Sequence, residues 1–292
     1  MKKDERLEIV ESREYVVTKG NEIIQRARYD LSLTELKAFS FIVSKIKPED
    51  KEGEIYSFSI NEYCKVLGIE TNNGKNIQTV KKSLKRLRDT SFYLTLENGT
   101  ETTVGWLGKV WINSGSGKVK VRLDEDLQKH LVGLLERGNY TQYTLICTLP
   151  MRSAYSFRIY ELLRSYVFQN KKRYRFDLED LKRKLVCEHY ERFPDFRRKV
   201  LDKAVVEINK YTDIEVQWQP ITKGKKVVEI EFTIKHRDIW DRSIAMNRAS
   251  KEIETKRTVK TKKLKESEAD QIEGQLTIYD YYKGEKNEKN EV

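Results

Sequence analysis

Apolar residues recur three and four apart at Leu36, Phe39, Ile42, Val43 and Ile46, the spacing of one helix face. Ser32 and Glu35 precede them as a capping box, so the pattern predicts a helix opening at Ser32. Lys47-Pro48 closes it, because proline disfavours helical backbone at the residue before it. Upstream, residues 1–14 are polar and expected to be loose, with a short strand over 15–18. Downstream, Ile55, Phe58 and Ile60 mark a strand, 61–67 reads as a short helix stopped by Gly68, and a longer helix follows over 75–89. Strands are expected over 92–97, 102–113 and 118–123, with Asn98-Gly99 and Ser114-Gly115-Ser116-Gly117 as turns.

Helix, strand, helix, helix and hairpin form the order of a winged helix. After a linking helix over 125–136 and a strand over 140–148, the order repeats. A helix over 152–168 leads to a strand over 174–176, helices over 178–186 and 195–211, and strands over 214–221 and 227–235. The halves align at an offset of 118: Tyr56, Phe58, Ile60 and Glu62 fall on Tyr174, Phe176, Leu178 and Asp180. The expected fold class is therefore α+β: two tandem winged-helix domains related by internal duplication, over 15–136 and 137–246, between a flexible 1–14 and a disordered C-terminal tail over 247–292.

Composition supports that tail. The chain is 38% hydrophobic and 35% charged, and residues from Asn247 on are poor in apolar side chains, too few to offset the entropy of ordering. The tail carries 11 basic and 10 acidic residues, so +10 of the +11 net charge belongs to the body, which suits a polyanionic partner. Cys64, Cys147 and Cys187 are odd in number, far apart and without a Cys-x-x-Cys pair, as reduced thiols in a cytoplasmic protein would be. No apolar run reaches the ~20 residues of a membrane span, and the N-terminus leads into no signal-peptide core.

A helix that enters the major groove needs an apolar stripe on its own core and long donors on its outer face. Helix 75–89 meets both needs. Ile77, Val80, Leu84 and Leu87 form the stripe; Lys75, Gln78, Lys82 and Arg86 line the opposite face with Lys85 beside them. Helix 195–211 repeats the design, with Phe196, Val200, Leu201, Ala204, Val205 and Ile208 inward and Arg197, Arg198, Lys199 and Lys203 as donors. Lys118 and Lys120, and Lys223, Lys225 and Lys226, are candidate wing contacts to phosphate or minor groove.

Catalytic readings find less support. Gly115-Ser116-Gly117-Lys118 lacks the four-residue gap and the Ser/Thr of a phosphate loop, and reads as a hairpin turn. His130, His189 and His236 are scattered, whereas strand-nicking initiators pair two close histidines. Cys187-x-His189 has no partner pair for a metal. The chain is expected to be no enzyme, with no cofactor and no metal. The alternatives are a winged-helix transcriptional repressor without an initiator role, a strand-nicking enzyme, and an adaptor whose basic faces are merely solvated.

Leu31-Ser32-Leu33-Thr34-Glu35-Leu36-Lys37, Tyr56-Ser57-Phe58-Ser59-Ile60 running into Leu67-Gly68-Ile69, and Tyr155-Ser156-Phe157-Arg158-Ile159-Tyr160-Glu161-Leu162-Leu163 resemble segments of the iteron-plasmid replication initiators, the Rep-3 family. The matches span about residues 15–236 in order. The resemblance implies a protein that binds repeated duplex sites in a plasmid origin, helps melt adjacent AT-rich DNA, recruits host replication proteins and represses its own gene. It implies monomers on the repeats in equilibrium with a homodimer formed through the first domain, and the third helix of the second domain as main base reader. In the tail, Gln275-Leu276-Thr277-Ile278-Tyr279 resembles the peptide by which bacterial proteins dock on the replication sliding clamp, with Gln275 as hydrogen-bonding residue and Leu276, Ile278 and Tyr279 as anchors.

Overall fold

The computed structural model describes residues 11, 13–70, 74–169 and 171–255, apart from the side chains of Lys75 and Asn76. In the first half, β1 (Val16–Gly20), helix Asn21–Arg26 and β2 (Ala27–Arg28) precede helix Leu33–Val43. Both halves of the capping box are made there: Ser32 Oγ accepts from the Glu35 amide and the Glu35 carboxylate accepts from the Ser32 amide. Then come β3 (Ile55–Ser59), helix Ile60–Leu67, helix Gly74–Asp89, β4 (Ser91–Thr95), β5 (Glu101–Gly105), β6 (Leu107–Ile112) and β7 (Lys118–Leu123). The strands form two antiparallel sheets, ordered β3-β7-β6 and β2-β4-β5.

Short helices Glu125–Gln128 and Leu134–Arg137 lead to β8 (Tyr140–Thr144), which pairs with β1. Helix Ala154–Arg164, β9 (Arg173–Asp177), helix Leu178–Leu185, a long helix over 193–211, β10 (Ile214–Lys223) and β11 (Lys226–His236) follow, with sheet order β10-β11-β9. The 118-residue offset is visible in the folded chain. β3 and helix Ile60–Leu67 map onto β9 and helix Leu178–Leu185, and Tyr56, Ile60, Tyr174 and Leu178 are all buried. The caps repeat too: Ser59 accepts from the Glu62 amide as Asp177 does from that of Asp180. Both helices end in a left-handed residue, Gly68 in one and Val186 (φ 52°) in the other.

Several expectations are corrected. The single strand expected over 102–113 turns at Trp106 into two strands of different sheets. Trp106 is buried there against Tyr29, Phe39 and Phe92, and β6 bulges against β7 between Leu107 and Lys109. The linking helix over 125–136 is two short helices, broken by the left-handed Gly133. The strand over 140–148 ends at Thr144 in a 3-10 turn, and the helix over 152–168 is helical only over Ala154–Arg164 before a 3-10 turn. Helix Asn21–Arg26 lies in a stretch to which the apolar pattern assigns no element.

The largest correction is at the C-terminus. A helix runs over 239–255, past the boundary at Asn247 where disorder was expected. Asp238 caps it by accepting from the Asp241 amide at 2.8 Å. Its buried stripe is Ala245, Ala249 and Ile253, four apart. Two alanines and one isoleucine add almost nothing to a hydropathy count, so composition hid a real helix face.

One apolar core runs through both halves. Helix Ala154–Arg164 binds across it. Arg158 donates to the carbonyls of Tyr29 and Ala27 and lies 4.0 Å from the Tyr29 ring centroid. Tyr160 and Arg164 both donate to the buried Asp213 carboxylate, at 2.8 and 2.9 Å. All three cysteines are buried and free, and burial pushes the Cys64 and Cys147 thiols up to about 11 and that of Cys187 up to about 12.

Candidate nucleic-acid interface

The second long helix is not uniform. It begins as α-helix over Phe193–Phe196, widens into a π turn over Arg197–Leu201, and resumes as α-helix over Asp202–Tyr211. A π turn inserts an extra residue, and such turns concentrate at functional sites. Here it presents Arg197, Arg198 and Lys199 as three consecutive exposed residues while Phe196, Val200, Leu201, Ala204 and Ile208 remain buried. The sequence located this inner stripe, apart from the half-buried Val205, but carries no signal for the π turn.

The four basic candidates on this helix are not equivalent. Arg197 pairs with Asp202 at 3.3 Å and lies 5.7 Å from the ring centroid of Trp218 on β10, so it braces the helix against the wing strand. Arg198 pairs with Asp195 at 3.2 Å, and Lys199 sits 5.6 Å from the Tyr190 ring centroid. Lys203 is exposed and lines an open hollow with Arg152, Arg198, Asp202 and the exposed Val206. Pairs this exposed contribute little to stability, so a phosphate or base edge can replace the carboxylate at small cost.

In helix Gly74–Asp89, Val80, Leu84 and Leu87 are buried as expected. Lys75 lies in its first turn, and Gln78 and Lys82 are exposed. Lys85 pairs with Asp89. Arg86 is engaged within the fold: its Nε lies 3.3 Å from the capping-box carboxylate of Glu35, and a guanidinium nitrogen reaches the Asp30 carbonyl. Sequence reasoning missed Lys81. Its ammonium donates to Ser114 Oγ at 3.3 Å, joining this helix to the tip of the β6–β7 hairpin. Only its place beside Lys82 hinted at it.

The tip over 113–117 is a hairpin turn. Asn113 Oδ1 accepts from the Gly115 and Ser116 amides, each at 3.0 Å, and Gly117 takes a positive φ of 65°. Amides satisfied inside the turn make no phosphate cradle. Lys118 closes the turn, its carbonyl accepting from the Asn113 amide at 2.9 Å, and Lys120 follows two residues down β7; both are exposed and share a hollow of about 380 Å³ with Ile55 and Trp111. Lys223, Lys225 and Lys226 flank the tip of the β10–β11 hairpin, turned by Gly224 at φ 63°.

Cys187 Sγ donates to the Lys182 carbonyl, and among the described residues no group of three His, Cys, Asp or Glu side chains is placed to hold a metal. No helix among them is long and apolar enough to cross a membrane. Gln275, Leu276, Ile278 and Tyr279 lie outside the described residues.

Comparison with known proteins agrees with this architecture. A family model described as initiator replication protein, WH1, matches residues 16–164, and one described as initiator Rep protein, WH2, matches residues 177–234. The PI protein of Escherichia coli is 25% identical over 139 residues, 42% of this chain and 46% of the relative. The chain thus spans about half the length of the curated relative it matches. A crystal structure of the Pi initiator protein in complex with iteron DNA aligns with a TM-score of 0.62 at 18% identity, over 77% of this chain and 99% of that one, a likeness of fold.

Proposed function

The chain belongs to the initiator replication protein family, and from that premise we propose that it is a plasmid replication initiator that grips repeated duplex-DNA sites with both of its winged helices. The observation that carries this reading is the double reading unit. Helix Gly74–Asp89 with the β6–β7 wing, and helix 193–211 with the β10–β11 wing, each present exposed Lys, Arg or Gln over a buried apolar stripe. The relative whose structure shares this fold is described in complex with iteron DNA. Domain 137–246 supplies the main base reader through Arg197, Arg198, Lys199 and Lys203; domain 15–136 adds DNA contact and a homodimer surface.

In this reading the protein carries out no chemistry of its own, needs no cofactor, and works in the cytoplasm. It bends the energetic balance of origin melting by binding, recruits host replication proteins, among them the sliding clamp through Gln275, Leu276, Ile278 and Tyr279, and represses its own gene as a dimer.

The test is footprinting of the full chain on the plasmid region that carries its gene. Protection of tandem repeats about two helical turns apart beside an AT-rich tract supports an initiator. Protection confined to one inverted site over the promoter, with replication intact when the gene is supplied with no repeats present, identifies a repressor instead.

A further inference from the structure

Helix 239–255 touches the end of the helix that precedes one reading helix and the exit of the other. At its C-terminal end, Ile253 closes over Gly68, the left-handed cap of helix Ile60–Leu67, six residues ahead of helix Gly74–Asp89. A Cβ on Gly68 would stand 2.5 Å from Ile253 Cγ2 and 3.0 Å from its carbonyl oxygen. Gly68 is thus required twice, by its left-handed φ of 70° and by this contact, whereas Val186 occupies the repeat-related position in the second half. Arg13 fixes the same corner from the other side, donating to the Val66 and Lys65 carbonyls at 3.0 and 3.3 Å.

One residue earlier in the helix, Glu252 holds the second half. Its carboxylate lies 2.6 Å from Arg152, just ahead of helix Ala154–Arg164, and 3.5 Å from Lys210 in the last turn of helix 193–211. Ile253 and Glu252 are adjacent, so a single turn of helix spans from the helix that leads into the first reading unit to the second unit. Ala245 and Ala249 are fully buried along its length, which leaves the helix little freedom to slide.

We propose that helix 239–255 is a clasp that sets the placement of the two reading helices, and so the spacing of the two half-sites the protein accepts, with Ile253 and Glu252 as its spacing-determining positioning residues. This rests on the two-headed binding proposed above. Two heads joined rigidly share a high effective concentration at one spacing; joined loosely, they tolerate many spacings with a lower maximum. Each inserted base pair also rotates one half-site by about 34° around the duplex, out of reach of a fixed second head.

The probe is a duplex selected by the full-length protein from a random-sequence pool and footprinted to locate its two protected segments. Zero to five base pairs are then inserted between them. For the unaltered protein, affinity should fall about tenfold or more with one to two inserted pairs. Ile253→Asp and Glu252→Lys should bind the original duplex about five- to tenfold more weakly and respond to insertions by only about twofold. Arg152→Glu and Lys210→Glu added together to Glu252→Lys, which restore opposite-charge pairs on both sides, should recover the steep response. Ile253→Ala replaces Ile253→Asp if the latter does not fold. Variants that keep the unaltered spacing curve, or a charge swap that restores nothing, overturn the clasp. An unaltered protein indifferent to insertions instead defeats the two-headed reading itself.

Discussion

Lys19 on β1 donates to Glu161 on helix Ala154–Arg164 at 2.6 Å, and both side chains are almost sealed from water, at 3% and 2% exposure. The surroundings complete the pair. Tyr143 donates to the same Glu161 oxygen at 2.6 Å, Lys19 reaches Ser40 Oγ, and the ammonium lies 5.1 Å from the Phe39 ring centroid. Four elements, β1, helix Leu33–Val43, β8 and helix Ala154–Arg164, meet at this one network. Glu161, Tyr160 and Arg158 all belong to a segment that resembles the initiator family; Glu161 and Arg158 hold the halves together, while Tyr160 ties the helix to Asp213 within the second half.

Breaking one partner of such a pair strands the other charge in the core. Glu161→Ala should lower unfolding free energy by about 3–5 kcal/mol in urea titrations. Lys19→Met combined with Glu161→Leu should recover most of that loss, since apolar side chains of similar volume replace buried pairs well. A loss below about 1 kcal/mol for the single change would mean that water reaches the pair.

Binding to duplex DNA should be steeply salt-dependent. Two reading helices and two wings are expected to neutralise ~6–10 phosphates, which costs ~10³–10⁵ in affinity between 50 and 200 mM salt. Fluorescence anisotropy with a labelled repeat duplex measures the slope. A nearly flat response would rule out docking through both units.

The sequence made much of this architecture legible, for identifiable reasons. Ser32/Glu35 marks a helix start because a side chain must satisfy the first free amides, and that need is written locally. The stripe Phe196, Val200, Leu201, Ala204 and Ile208 is legible because burial follows helical period. What escaped depends on tertiary contact. Trp106 splits a strand only because a pocket of Tyr29, Phe39 and Phe92 receives it. Helix 239–255 is held by Gly68, Arg152 and Lys210, all distant in sequence. In the candidate interface, outward-facing charge was legible, but the engagement of Arg86 by Glu35 and of Arg197 by Trp218 was not.

Acid should destabilise the fold through His130. Its Nδ1 lies 2.9 Å from Glu22, its Nε2 is buried without a partner among the described residues, and burial, against the pull of Glu22, lowers its pKa below 6.5. The unfolded chain therefore takes up this proton at a higher pH than the folded one. The contribution is complete above about pH 6.5 and is lost as pH falls toward the folded value. Urea midpoints at pH 8 and pH 5 should differ less for His130→Gln than for the unaltered protein. An equal difference would place the acid sensitivity elsewhere.

The tail peptide makes a separate prediction. A segment bearing residues 256–292 should bind the host sliding clamp, and Gln275→Ala or the double change Leu276→Ala/Tyr279→Ala should abolish that binding. Tyr279 brings a hydroxyl that needs a partner, so Tyr279→Phe should tighten it. Pull-down and titration with purified clamp decide the matter. Equal binding by all variants would make the pattern a coincidence, while loss of plasmid replication with intact origin binding would confirm its role.

Base reading and phosphate contact should separate by residue. Arg198 and Lys199 are exposed in the π turn, where Arg198 pairs with the half-buried Asp195 and Lys199 lies over the Tyr190 ring, pairings weak enough to exchange for base edges. Arg198→Ala or Lys199→Ala should weaken specific binding by ~1–3 kcal/mol more than non-specific binding, the cost of one good base contact. Lys225→Ala, at the tip of the second wing, should weaken both alike and reduce the salt slope by about one ion. Arg197→Ala tests a third role. Its guanidinium spans Asp202 and Trp218, so its removal should loosen the helix against β10 and lower thermal stability as well as affinity. The measurement is a competition titration of each variant with the selected duplex and with a scrambled one, alongside a melting curve. If Arg198, Lys199 and Lys225 lose specific and non-specific affinity in equal proportion, the base-reading surface lies off the π turn, and helix Gly74–Asp89 with Gln78 and Lys82 becomes the reader to test.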